Sequence, residues 1–180
     1  MKRALRTTIL LAALVAAPFL RAGENGGVGE YDVKAAFLLN FIRYTEWTGL
    51  KAQTRTGPLV IGVLGKNPFG NKLERIARAT RIHGREVRVV ELTSTEDLQG
   101  AEVVFLSGRD PVTVQDEVES LSGRGLLTVG DDPLAVEWGA ALAFVPEGSK
   151  IRFAVNRSAA RKQGVKISSK LMELAVEILK

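Results

Sequence analysis

The side chains able to do acid–base or metal chemistry are few in this chain, and they are scattered. The one histidine, His83, stands in a polar turn ahead of a strand, a setting in which an imidazole is usually solvated. There is no cysteine. Cys–His nucleophiles and thiolate zinc sites are therefore excluded, and a single histidine cannot anchor a strong transition-metal site. No Gly-x-Ser-x-Gly elbow occurs. Neither a catalytic residue nor a cofactor is assigned.

Two short runs still lie where ligands are held. Gly65-Lys66-Asn67-Pro68-Phe69-Gly70 falls between a strand and a helix, the position of a phosphate loop. No lysine directly follows the second glycine and no Ser or Thr comes next to hold magnesium, so the run is not a Walker loop. Its glycines suit a tight turn, and weak anion binding at a helix start stays open. Gly130-Asp131-Asp132 follows LLTV, at the carboxyl end of a strand, the edge where open α/β sheets bind ligands. Paired carboxylates could hold a divalent cation. No third carboxylate is near enough to complete a calcium loop, and Asp132 before Pro133 also reads as a turn and cap. Gly65, Lys66, Asn67, Gly130 and Asp131 are the candidate ligand-binding strand ends.

These runs are positioned by alternating strands and helices. EYDVKAAFLLNFIRYTEW is free of proline and glycine and reads as one helix running to Gly49. PLVIGVLG reads as a buried strand, and Asn67-Pro68 opens a second helix closing near Thr80. REVRVVEL, AEVVFLSG and GLLTVGDD are further strands, with a helix from Pro111 to Gly123 before the last of them. AALAFVPEGSKIRFAVN reads as a hairpin about Pro146 to Ser149. Asn156 caps a short helix ending at Gly164, and Ser168 or Ser169 caps a last helix reaching the C-terminus. The pattern predicts a single-domain α/β fold with an open, mainly parallel sheet, helices on both faces and a C-terminal antiparallel hairpin edge.

The outer two helices carry more apolar surface than one stripe requires. At about 100° per residue, Tyr31, Ala35, Leu38 and Ile42 share a face of the first, and Val33, Phe37, Phe41 and Tyr44 the next, with Trp47 beyond. In the last segment Leu171, Leu174, Ala175 and Ile178 form one stripe, and Met172, Val176 and Leu179 another. Either these helices are wedged into the core, or one face meets a second protein, as the aromatic content suggests. The candidate partner-binding residues are Tyr31, Val33, Phe37, Phe41, Tyr44 and Trp47, together with Met172, Val176 and Leu179. A homodimer seam would use the same surfaces.

The N-terminus reads as an export signal. Lys2, Arg3 and Arg6 precede an apolar run from Thr7 to Leu20, too short to span a bilayer comfortably. Cleavage after Ala22 is expected, although Arg21 makes the site imperfect; an uncleaved anchor is the other reading. Residues 1–22 are thus assigned as signal peptide, 23–29 as a flexible polar start and 30–180 as the domain. The whole chain has 25 Lys and Arg against 20 Asp and Glu, a net of +5. Four of those bases lie in residues 1–22, which hold no acid, so the remainder is 21 against 20. That removes the basic excess a nucleic-acid binder would need. No membrane-spanning segment is expected after cleavage.

EYDVKAAFLLNFIRYTEW, PLVIGVLGKNPFG, LLTVGDD, the hairpin ending IRFAVN and VKISSKLMELA occur in an order that resembles the YfiR family of periplasmic proteins. The first helix and ISSKL are the most specific parts. Leu39 stands where the family often has tyrosine and Thr48 where it often has proline. The absence of cysteines departs from members with disulfides and puts thiol-redox control in doubt. The resemblance implies a non-enzymatic periplasmic repressor that sequesters the periplasmic sensory domain of an inner-membrane diguanylate cyclase and lowers cyclic di-GMP signalling and biofilm formation. It also implies a homodimer and an outer-membrane lipoprotein as a further partner. The alternative from the residues alone is a periplasmic small-molecule sensor for nucleotides or amino acids, using the strand ends.

Overall fold

The computed structural model describes residues 29–48, 56–108 and 110–180. The signal peptide and most of the polar start fall outside them. Two strands show why the sheet is central. Strand β2 (Leu59–Gly65) and strand β5 (Val103–Ser107) are apolar along their length, and their side chains alternate between two cores. Leu59, Ile61, Val63, Val103 and Phe105 face one core; Leu64, Val104 and Leu106 face the other. Burial on both faces is what a parallel sheet covered by helices demands.

The main sheet has eight strands in the order β10 (Glu177–Leu179), β8 (Lys150–Asn156), β7 (Leu142–Glu147), β6 (Leu127–Gly130), β5, β2, β4 (Arg85–Leu92) and β3 (Arg81–Ile82). Strands β4, β2, β5, β6 and β7 run parallel. Strand β8 (Lys150–Asn156) returns antiparallel to β7 as the expected hairpin, with Glu147 opposite Lys150.

Helix α1 (Glu30–Arg43) and helix α2 (Lys72–Arg78) cover the first core; helix α3 (Pro111–Leu121) and a 3₁₀ turn (Pro133–Val136) cover the second. The chain therefore changes faces at the boundary of β2 and β5, the switch point where a doubly wound sheet opens a crevice at its carboxyl edge.

Three elements differ from expectation. Helix α1 stops at Arg43, because Tyr44 leaves helical geometry (φ −104°, ψ 18°) and the chain pairs instead. Thr45–Trp47 forms β1, antiparallel to β9 (Val165–Ile167), and Thr45 Oγ1 donates to Phe41 O at 2.7 Å, closing the helix end. Helix α2 starts only at Lys72, since Asn67 Oδ1 accepts from Phe69 N at 2.9 Å and fixes a turn before it.

The last helix does not reach the C-terminus. Helix α5 is one turn (Ser169–Met172), capped by Ser168, and the chain then enters β10 (Glu177–Leu179), parallel to β8. Val176 N donates to Phe153 O at 3.0 Å as it arrives. The open edge of β8 offered unpaired main-chain groups, and the β-branched Val176 and Ile178 suit an extended chain. Strand β10, rather than the hairpin, is thus outermost on that side.

Candidate functional site

The strand ends come together as the sheet topology requires. Gly65 lies opposite Ser107 at the end of β5, and Leu106 lies opposite Gly130 at the end of β6. The two candidate runs therefore share one edge, separated by a single strand. Gly65 and Gly108 both take positive φ (103° and 63°), letting each chain turn sharply off the sheet. A Cβ at Gly108 would stand 3.9 Å from Lys66 Cβ, so the loop after β5 borders the loop after β2. This loop after β5 was missed from sequence because Ser107-Gly108 matches no motif.

Asp131 and the polar groups of α1 at this edge engage one another. Lys34, from α1, is 3% exposed, and its Nζ lies 2.7 Å from Asp131 Oδ1 and 2.6 Å from Glu30 Oε1. Tyr31 Oη donates to Asp131 Oδ2 at 2.9 Å. The ammonium also stands 4.8 Å from the Tyr31 ring centroid and 5.5 Å from that of Phe144. Burial pulls the Lys34 pKa down, but the bonds to Asp131 and Glu30 outweigh it and the value rises. Tyr31 is raised as well, first by burial and then by the Asp131 carboxylate that accepts its hydrogen bond.

This arrangement gives each of the paired carboxylates a partner within the protein, with Asp132 in the capping role. Asp131 is held by a lysine and a tyrosine, while Asp132 caps the 3₁₀ turn through Leu134 N at 2.8 Å. Gly130 is buried, and a Cβ there would stand 2.1 Å from Ala135 Cβ. Asn67 is spent on its own turn, donating to Gly70 O and, at 2.8 Å, to Glu91 Oε1. Lys66 alone of the five is exposed. His83 occupies a two-residue hairpin turn with Gly84, both at positive φ, between β3 and β4.

The surplus apolar residues divide. Phe41 is fully buried, with ring centroids 4.9 Å from Phe153 and 5.4 Å from Phe144, so it presents nothing to a partner. Phe37 packs on the same rings at 5.9 Å from both Phe41 and Phe153. Tyr31 is edge-on to Phe69 at 5.5 Å. Tyr44 and Trp47 are half-buried against the same core, and Val33 is half-buried. Helix α1 thus buries Lys34, Ala35, Leu38, Leu39, Phe41 and Ile42 against the sheet and α2, while Glu30, Ala36 and Arg43 stay exposed.

Among the described residues the exposed large apolar side chains are Val112 in α3, Leu134 in the 3₁₀ turn and a group of three near the C-terminus. Leu174, Val176 and Ile178 are 58%, 41% and 42% exposed, alternating along the approach to β10 and the strand itself. Met172 and Leu179 are half-buried at its two ends. Leu174 and Ile178 were read as one stripe of a helix and Val176 as another; Leu174 lies in the turn after α5, Val176 in the bend that follows, and Ile178 in β10. Among the described residues no helix is long and apolar enough to cross a membrane.

A family model described as YfiR/HmsC-like matches residues 31–176. The chain belongs to the YfiR/HmsC-like family. The match starts at Tyr31 and ends at Val176, so it includes α1 from its second residue, the whole switch-point edge and α5.

Solved structures similar to this YfiR/HmsC-like chain include a conserved domain protein from Vibrio cholerae O1 biovar El Tor. It is 12% identical, with a TM-score of 0.52 over 83% of this chain and 60% of that one. Another is the ABC domain from Streptococcus pneumonia in complex with L-Trp, 13% identical with a TM-score of 0.47, covering 67% and 55%. The chain thus spans 55–60% of the length of these structures. At such identity the first likeness shows the fold alone.

Proposed function

We propose that this protein is a periplasmic regulator that binds the periplasmic domain of an inner-membrane diguanylate cyclase and holds the enzyme inactive. Family membership over residues 31–176 is the observation that carries this reading. Two features of the chain support it. At the sheet edge Asp131 is paired with Lys34 and hydrogen-bonded by Tyr31, and Asp132 caps the 3₁₀ turn, rather than standing free to act as acid, base or metal ligand. The exposed apolar run at Leu174, Val176 and Ile178 offers a surface for a protein partner.

Repression is a linkage. The regulator lowers cyclase activity only to the extent that it binds the inactive conformation better than the active one. Export through residues 1–22 belongs to the same proposal, since it puts the domain beside the outer portion of the cyclase. So do a homodimer and a lipoprotein of the outer membrane.

The decisive experiment is co-purification of the tagged, folded protein with inner-membrane diguanylate cyclases from envelope extracts, with cyclic di-GMP measured on deletion. A recovered cyclase and a rise in cyclic di-GMP are expected. Failure to recover any cyclase, with cyclic di-GMP unchanged, would overturn the reading.

A further inference from the structure

The basic residues are unevenly spread. Seven Lys and Arg fall between Glu147 and Glu173, a stretch with no acid, although residues 23–180 as a whole are nearly balanced. The fold gives several of them separate tasks. Arg152 faces Glu147 across the hairpin at 3.9 Å, and Lys170 Nζ stands 5.3 Å over the Tyr44 ring. Arg157, Arg161 and Lys166 instead converge on one groove of about 450 Å³ between helix α4 (Arg157–Lys162), β9 and α5.

Within that groove two of the three positive charges are unmatched among the described residues. Glu46, from β1, lies 3.5 Å from Lys166 and balances it. Arg157 and Arg161 sit one helical turn apart on the same side of α4, both exposed, and neither makes an ion pair among the described residues. Their scaffold is rigid. Asn156 Oδ1 caps α4 through Ala159 N at 2.8 Å. The fully buried Gln163 accepts from Thr128 Oγ1 at 2.9 Å and donates to Gly139 O at 3.2 Å. Ser169 adds a hydroxyl to the groove wall.

Two guanidinium forks on a fixed helix, with a hydroxyl beside them, match the several oxygens of a phosphate better than a single carboxylate. The volume suits a small ligand or a headgroup. We propose that the groove lined by Arg157, Arg161, Lys166 and Ser169 binds a phosphate group carried by a small ligand or a lipid headgroup. This rests on the groove itself and not on the regulatory reading above.

The test uses the full folded domain at fixed ionic strength. Pyrophosphate is titrated by calorimetry, and co-sedimentation is measured with phosphatidylcholine vesicles with and without one quarter phosphatidylglycerol. Binding of at least one phosphate probe is expected, weakened about tenfold or more in R157A/R161A. The variant R75A/R88A, which removes two exposed arginines elsewhere, should bind as the wild type does. Pyrophosphate binding identifies a soluble ligand; sedimentation with phosphatidylglycerol alone identifies a headgroup. The proposal is overturned if neither probe binds, or if R75A/R88A loses as much affinity as R157A/R161A. Binding of a hexaglutamate peptide without either phosphate probe would also overturn it, in favour of an acidic partner.

Discussion

Lys34 Nζ and Asp131 Oδ1 lie 2.7 Å apart, tying the first turns of α1 to the end of β6 across 97 residues of sequence. The two partners are unequal. The Lys34 side chain is 3% exposed and the Asp131 side chain 17%, so the charge left behind by a substitution differs in cost. Asp131→Ala strands a buried ammonium with only Glu30 for company. It should destabilise the domain by about 3 kcal/mol, as breaking one half of a buried pair does. Lys34→Met leaves a carboxylate that Tyr31 and water can still satisfy, and should cost less. Urea unfolding of both variants checks the order; an equal loss would show that the pair is not asymmetric.

The same cluster sets an alkaline limit. Both Lys34 and Tyr31 have raised pKa values in the folded state. As pH climbs past the unfolded values near 10, the native state holds more protons than the unfolded one, so stability falls with pH. The contribution is complete below about pH 10 and is lost as pH passes through the folded values. Melting temperatures between pH 8 and pH 11 should drop more steeply for the wild type than for Tyr31→Phe, which lacks one of the two groups.

Gly130 shows how closely the edge is closed. Its missing side chain is what allows the 3₁₀ turn to sit on β6, since an added Cβ would meet Ala135 Cβ at 2.1 Å. Neither atom is the end of a flexible chain, so the turn itself must move. Gly130→Ala should cost about 1–3 kcal/mol, the range for overpacking a filled core. Chemical unfolding measures it, and a loss below 0.5 kcal/mol would show that the turn yields readily.

How far the sequence revealed this depends on whether neighbours or local pattern decide each element. The apolar strands β2 and β5, the hairpin about Pro146 to Ser149 and the Asp132 and Asn156 caps were legible, because short-range chemistry specifies them. The C-terminus was not. Leu171 to Leu179 satisfies both a helical and an alternating pattern, and only the free edge of β8 chooses the strand. At the site, the glycines and Asp131 were found by position along strands. That Asp131 would be neutralised by Lys34 was hidden, because a lysine within an apolar helix looks like its solvent-facing residue.

The redistribution of apolar surface changes which substitutions can report on partner binding. Phe41 lies among Phe37, Phe144 and Phe153 with no exposure, so Phe41→Ala should cost about 3–5 kcal/mol and lower binding only by unfolding the domain. Val176 faces solvent at 41% and contributes a main-chain bond to Phe153 that any residue except proline can make. Val176→Asp should therefore leave thermal stability close to the wild type, as surface substitutions do, within about 0.5 kcal/mol. Placed between Leu174 and Ile178, the new carboxylate would put an unpaired charge in the middle of any apolar contact made there. Pull-down of the cyclase by the two variants, each with a melting curve, separates the cases. The expected pattern is lost binding with an unchanged melt for Val176→Asp, and lost binding with a lowered melt for Phe41→Ala. Full binding by Val176→Asp would move the partner's contact away from the C-terminal strand.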